Sequence, residues 1–271
     1  MAVNLPAGGS MWRVPVVFLL AVSLRACAQD LTPPSDRCDL RPGMADAYVL
    51  ALSWQPGFCE TYGHGAGKKE CLELSARGHA ANHLVLHGLW PNQEACGIDY
   101  TFCGADMQTH HCDYARLPLN DATAQLLSVN MPSFSAGTCL ERHEWYKHGS
   151  CQDSNVNDYF TRAAHFAEAV DATPIGVFLR QNRGRTVKAA DFADAVDASF
   201  GKAYRSRVFI GCTSGVLVDV WLSLPMDTSS SKSLSEMVQE APPFKRPSTC
   251  PPRFRISAFA PAPLAQTRNI L

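Results

Sequence analysis

The chain has 271 residues, of which 46% are hydrophobic and 18% charged. That balance excludes a disordered, fibrous or low-complexity protein and leaves room for one sizeable globular core. A formal net charge of -1 excludes a global basic field, so a nucleic-acid partner would have to meet a local positive cleft.

The N-terminus has the pattern of a secretory signal. Arg13 precedes the apolar run from Val14 to Leu24, and Ala26-Cys27-Ala28 supplies a small-residue cleavage site. The expected organisation is a signal peptide over 1–28 and one catalytic domain over 29–271, with its core at about 48–259. Residues 1–10 carry no positive charge, which is compatible with translation starting at Met11. Cys27 also sits in a lipoprotein-like context, but the bulky Arg25 disfavours that reading. No later segment approaches the ~18 apolar residues of a membrane span, so no stable membrane association is expected.

Ten cysteines follow Cys27: Cys38, Cys59, Cys71, Cys96, Cys103, Cys112, Cys139, Cys151, Cys212 and Cys250. An even set behind a signal peptide implies up to five disulfides and an oxidising compartment. The absence of any C-x-x-C pair argues against structural zinc.

Period-two or β-branched runs predict strands at Tyr48–Trp54, His83–His87, Arg207–Cys212, Val216–Leu224 and Arg253–Phe259. In the fourth, Asp219 and Ser223 predict a half-solvated strand. Helical spacing predicts three helices. One runs from Cys139 to Gly149, with the glycine as C-cap; one is capped by Asn157 and carries Phe160, Ala164, Ala167 and Val170. The third starts at Thr186 and carries Phe192, Val196 and Phe200. Pro33-Pro34, Pro242-Pro243 and Pro251-Pro252 mark loops, and the Pro/Ala-rich tail from Ala260 to Leu271 reads as frayed. Strands flanking a central helical block predict an α+β fold, a central antiparallel sheet with packed helices in one disulfide-stapled domain.

Two segments carry the chemistry: His87-Gly88-Leu89-Trp90-Pro91, and His143-Glu144-Trp145-Tyr146-Lys147-His148-Gly149-Ser150-Cys151. In a helix the second puts His143, Glu144, Lys147 and His148 in one stripe. Glu and Lys alone would read as a solvated face; two histidines beside a second histidine segment do not. Zinc is disfavoured, because the histidines are five apart, turned ~140° from one another, and Lys147 would oppose a cation. Imidazoles titrate near neutrality, so one can take a proton while another gives one. An ammonium and a further imidazolium suit a reacting phosphodiester. RNA carries its own nucleophile, the 2′-hydroxyl, and needs neither metal nor nucleophilic side chain.

Both segments resemble, at every fixed position, the active-site signatures H-G-L-W-P and H-E-W-x-K-H-G-x-C of the ribonuclease T2 family. The run Tyr48–Cys59 is similar to the first core strand of its bacterial, periplasmic-type members, and the likeness extends from about Tyr48 to Phe259. The resemblance implies an endoribonuclease without cofactor or metal, with His148 as base, His87 as acid, His143 at the phosphate, and Glu144 and Lys147 stabilising the transition state. It implies 2′,3′-cyclic phosphates first and 3′-phosphates later. Trp90 is the candidate for stacking on a base. Asn92 stands where some fungal-type relatives carry a base-selecting aspartate, which implies weak base preference. The resemblance also pairs Cys151 with Cys96, Cys103 or Cys112, and Cys212 with Cys250; it leaves Cys38 without a partner. Trp145 reads as core, and His64, His79, His83, His110, His111 and His165 as surface or structural. A monomer in the periplasm or medium is expected, in line with the absence of any N-x-S/T site. The alternatives are a catalytically idle RNA-binding relative and a metallohydrolase using His87, His143 and His148; chelator would inactivate only the latter.

Overall fold

Tyr48, Leu50 and Leu52 alternate with Val49, Ala51 and Ser53, and this period-two pattern forms strand β1 (Ala47–Ser53), buried on one face and partly buried on the other. In the computed structural model, residues 38–97, 99–228 and 231–260 are described. The expected signal peptide, Cys27 and the tail beyond Ala260 lie outside them.

After β1 come α1 (Gln55–Phe58), α2 (Lys69–Leu72) and β2 (Val85–Asn92). A helical block follows: α3 (Asp121–Asn130), α4 (Pro132–Ala136), α5 (Leu140–Lys147), α6 (Val156–Asp171) and α7 (Pro174–Gln181). The chain then runs through β3 (Arg185–Lys188), α8 (Ala189–Phe200), β4 (Val208–Thr213), β5 (Val216–Pro225), α9 (Leu234–Glu240) and β6 (Arg253–Ile256). The sheet order is β2-β1-β5-β6-β3, with β4 also paired to β5. Pairing is antiparallel except for one parallel bridge, Val216 to Arg255. This is the expected α+β architecture. Pro91 is tolerated inside β2 because β2 is an edge strand.

Cross-strand register sorts the sheet into two faces. Leu50 pairs with Leu89 and Leu222, and Leu52 with Leu86 and Val220. These leucines and valines share one buried cluster with Phe160, Ala163, Ala167 and Val170 of α6. On the other face Ala51 pairs with Gly88 and Trp221, and Val49 with Trp90. Ala51 and Gly88 leave space over the sheet there, and the site occupies it.

Two β-bulges make this sorting possible. Ala51 faces Gly88 but Leu52 faces Leu86, so His87 is the unpaired extra residue. Gly211 faces Asp219 but Cys212 faces Leu217, which leaves Val218 extra. The second bulge sends Leu217 into the core, where it is fully buried, and Ser223 is 4% exposed. β5 is therefore not the half-solvated strand expected from its polar residues; it lies inside the sheet with the site above it.

Several boundaries also move. Asn155, not Asn157, caps α6, its side chain accepting from Asn157 N and Asp158 N; the Asn157 side chain instead bridges to Pro118 O and Asn120 N. Thr186 does not open a helix, because Arg185–Lys188 pairs with β6 and α8 begins at Ala189. α5 ends at Lys147 and Gly149 opens a 3-10 turn without a left-handed cap. Gly149 is required there for packing, since a Cβ would collide with the Trp145 ring. β2 starts at Val85 and runs five residues beyond His87, and β6 stops at Ile256.

The five disulfides are Cys38–Cys96, Cys59–Cys71, Cys103–Cys151, Cys112–Cys139 and Cys212–Cys250. Cys103 is thus the partner of Cys151, and Cys96 that of Cys38.

Replacing Leu217 by Ala should lower the unfolding free energy by about 3 kcal/mol, the cost of a cavity at a fully buried leucine. Urea unfolding checks this. A loss under about 0.5 kcal/mol, as for a surface position, would contradict the bulged register.

Candidate active site

The first signature lies on β2 and the second on α5 and the turn after it, and one hydrogen bond joins them. The Trp90 indole N–H donates to Glu144 Oε2 at 2.6 Å. Glu144 is 1% exposed, so its carboxyl has no solvent to satisfy it. Its other oxygen, Oε1, lies 3.5 Å from His87 Nε2. Gly88 permits this approach: a Cβ there would occupy the place of Glu144 Oε2 and Trp90 Nε1.

Trp90 in turn collects the imidazoles. Its ring meets His87 edge-on at 5.3 Å between centroids and stacks on His148 at 5.1 Å. A third neighbour, Trp221 of β5, meets it edge-on at 5.0 Å, and the Arg246 guanidinium lies 4.3 Å over Trp221. His87, as the bulged residue of β2, is released from the pleat and keeps 35% of its side chain accessible. His148 is not part of the α5 stripe. It is the C-cap, with φ -116° and ψ -49°, and its backbone N–H donates to Glu144 O. Its ring is buried and Nδ1 has no partner among the described residues.

His143 lies apart from Trp90 and stacks on His111 at 4.3 Å and 26°. Asn92 closes β2 two residues beyond Trp90, on the same strand face, with its carbonyl accepting from Asp46 N. Trp145 packs on the core beside Tyr159, as its sequence context implied.

His111 is the residue that sequence reasoning missed. No motif holds it; a disulfide, Cys112–Cys139, and two bonds from Arg142 Nη1 to Cys112 O and Tyr114 O bring its turn onto α5. It lines a cleft of about 330 Å³ together with His87, Lys68, Glu70, Tyr62 and Asp219. Both bulged residues, His87 and Val218, open onto this cleft.

Burial governs the electrostatics. It pushes the His87 imidazole down to about 4, helped by the Lys147 ammonium and His111. His143 falls to about 4 through burial, His111 and Lys147. His148 is held well below the usual imidazole range by burial and then Lys147. Glu144 moves the other way, up to about 8, because desolvation outweighs the indole hydrogen bond and Lys147. At neutral pH the free site therefore holds neutral imidazoles and a protonated carboxyl around one ammonium. With Oε2 accepting from Trp90, Oε1 is the oxygen free to carry the proton. Among the described residues, no three His, Cys, Asp or Glu side chains are grouped to hold a metal ion.

A model of the Ribonuclease T2 family matches residues 45–237. Ribonuclease I of Escherichia coli is 31% identical over 207 residues, covering 68% of this chain and 77% of that protein. A probable ribonuclease of Haemophilus influenzae is 33% identical over 132 residues, 46% of this chain and 43% of its own length. Among solved structures, Actibind, a T2 ribonuclease, superposes with a TM-score of 0.53 at 14% identity, over 82% of this chain and 91% of its own. RNase NT in complex with 5′-AMP gives 0.51 at 17% identity, over 79% and 99%. These two share the fold.

Gly88→Ala should lower kcat/KM on RNA roughly 100-fold, because displacing the Trp90–Glu144 pair by about 1 Å moves both imidazoles. Kinetics on a fluorogenic RNA, with circular dichroism to verify folding, test it. A folded variant within threefold of wild type would show that the close approach at Gly88 is dispensable.

Proposed function

The chain belongs to the ribonuclease T2 family and is an endoribonuclease of that type, and we propose that it cuts single-stranded RNA without a metal, by two histidines acting in succession. One observation carries this reading: His87 and His148, from distant segments, meet the same indole, whose N–H is fixed by buried Glu144.

His148, kept neutral by burial, takes the proton from the 2′-hydroxyl, and the freed oxygen attacks phosphorus. His87, the more accessible imidazole, protonates the departing 5′-oxygen and becomes neutral. The product is a 2′,3′-cyclic phosphate. In the second step His87 takes a proton from water, the water oxygen attacks phosphorus, and protonated His148 returns its proton to O2′, leaving a 3′-phosphate. His143 contacts the phosphate. The Lys147 ammonium and the proton on Glu144 Oε1 stabilise charge on the pentavalent phosphorus, in a site where burial strengthens both. Trp90, by stacking, and Asn92, two residues on along β2, contact the base. With no charged reader among them, low base specificity follows. Five disulfides support a periplasmic or extracellular site of action.

His87→Ala and His148→Ala should each lower kcat by at least about 1000-fold, and the double variant little further, because the residues act in one step. Mass spectrometry of a cut oligonucleotide in excess EDTA should find cyclic phosphate ends. Cleavage lost in EDTA and restored by zinc would transfer the reaction to a metal, and binding without cleavage would make the protein an idle relative.

The pH profile tests the acid. With His87 at about 4 in the free protein, its protonated fraction falls as pH rises, so kcat/KM should decline steadily between pH 5 and 8. Lys147→Met removes a charge that depresses all three imidazoles, so the decline should move to higher pH even as the rate drops. A kcat/KM that rises from pH 5 to 7 would contradict His87 as the acid.

A further inference from the structure

We propose that His111 and Lys68 form a second phosphate subsite, which takes the phosphodiester one nucleotide beyond the scissile bond on the leaving-group side. This rests on the ribonuclease reading above. His87 is the group assigned to the departing 5′-oxygen, so the strand attached to that oxygen enters the cleft whose wall His87 shares with His111 and Lys68.

The turn that carries His111 is held in place more firmly than a loop at the surface requires. The Cys112–Cys139 bridge fastens it to the start of α5. Arg142 Nη1 donates to Cys112 O at 3.1 Å and to Tyr114 O at 3.0 Å. Tyr114 stacks on Tyr146 at 4.9 Å, with planes 10° apart. The outcome is an imidazole stacked on His143, the residue assigned to the phosphate, and lining the cleft beside His87.

Neither the His111 imidazole nor the Lys68 ammonium has a hydrogen bond or ion pair among the described residues, although both are half-buried and close enough to repel. Two donors set side by side without an acceptor await an anion. Two acids share the cleft without bonding to either donor: Glu70 is buried, accepts from the Thr138 hydroxyl at 3.0 Å and favours the charged form of His111 from a distance, and burial raises the Asp219 carboxyl to about 6. The matching ligand is a phosphodiester, the group that recurs along the substrate itself.

The test compares UpA with UpAp, which adds one phosphate to the leaving nucleoside. For the wild type, kcat/KM should be about 10-fold higher on UpAp, the worth of one charge-assisted contact. Lys68→Ala and His111→Ala should each bring the UpAp/UpA ratio to about 1, while Lys68→Arg keeps it near 10. The salt dependence on a longer oligonucleotide should lose about one unit of slope in Lys68→Ala. If His111 only supports His143, its variant lowers both rates and the ratio stays high, which overturns the subsite. A wild-type ratio near 1 overturns it as well. Wild-type protein that cleaves neither substrate would instead sink the ribonuclease reading on which the subsite depends.

Discussion

A carboxyl group sealed under a sheet has to be answered by a donor, and in this protein that obligation organises the site. Glu144 points inward from a short helix and is 1% exposed. The indole of Trp90 answers it at 2.6 Å. The rest follows from geometry. The indole can reach the carboxyl only across a residue without a Cβ, which makes Gly88 part of the arrangement. Fixing the indole fixes the two rings that lie on it, His87 and His148. A single buried hydrogen bond thus sets the separation of two side chains that lie 61 positions apart in the sequence.

The helix that carries Glu144 cannot hold it there unaided. Eight residues, Leu140–Lys147, are too few for an isolated helix to persist in water. The structure grips both ends. Cys139, immediately before the helix, is bonded to Cys112, and Cys151, just after the His148 turn, to Cys103. Between them, Phe102 N donates to Lys147 O at 2.7 Å and Arg142 reaches back to the Cys112 turn. The disulfides therefore act on the chemistry as well as on the unfolded chain, and the site depends on an oxidising surrounding to keep its geometry.

How much of this could be read from the sequence follows from what each feature rests on. Strand β1 and helix α6 were legible because their apolar residues repeat at the period of the element, and β4 and β5 because they are rich in β-branched and aromatic residues. The two signatures were legible because their fixed residues match those of the ribonuclease T2 family at every position. The bulges were not, although one left a trace: Leu86 and Leu89 both face the core while three apart, an odd spacing that a regular strand cannot give. Reading His83–His87 as a strand with its histidine at the end missed that trace. Thr186 and Val187 begin no helix because a partner strand, β6, claims them from 69 and 67 residues away. His111 was invisible for a related reason. Its place is set through Cys112 and Tyr114 by partners distant in the sequence, Cys139 and Tyr146, and no local pattern names those partners. An even cysteine count predicts bridges, but only the fold chooses among partners.

The charge state of the site reconciles a net charge of -1 with a polyanionic substrate. Three protonated imidazoles beside Lys147 would repel one another in a buried space and would hold product as tightly as substrate. Instead burial keeps the imidazoles neutral and Glu144 protonated, leaving the ammonium as the main charge. An arriving phosphodiester then changes the balance, since its negative charge raises the proton affinity of every imidazole it approaches. The more accessible His87 gains most from this, and His148, stacked on Trp90 and 8% exposed, gains less. In the proposed mechanism the substrate's own charge would thus separate two similar side chains into an acid and a base, and its departure as product would return both to the neutral state. Binding and protonation are coupled in both directions, so a site without a standing positive charge can still hold an anion at the moment of reaction.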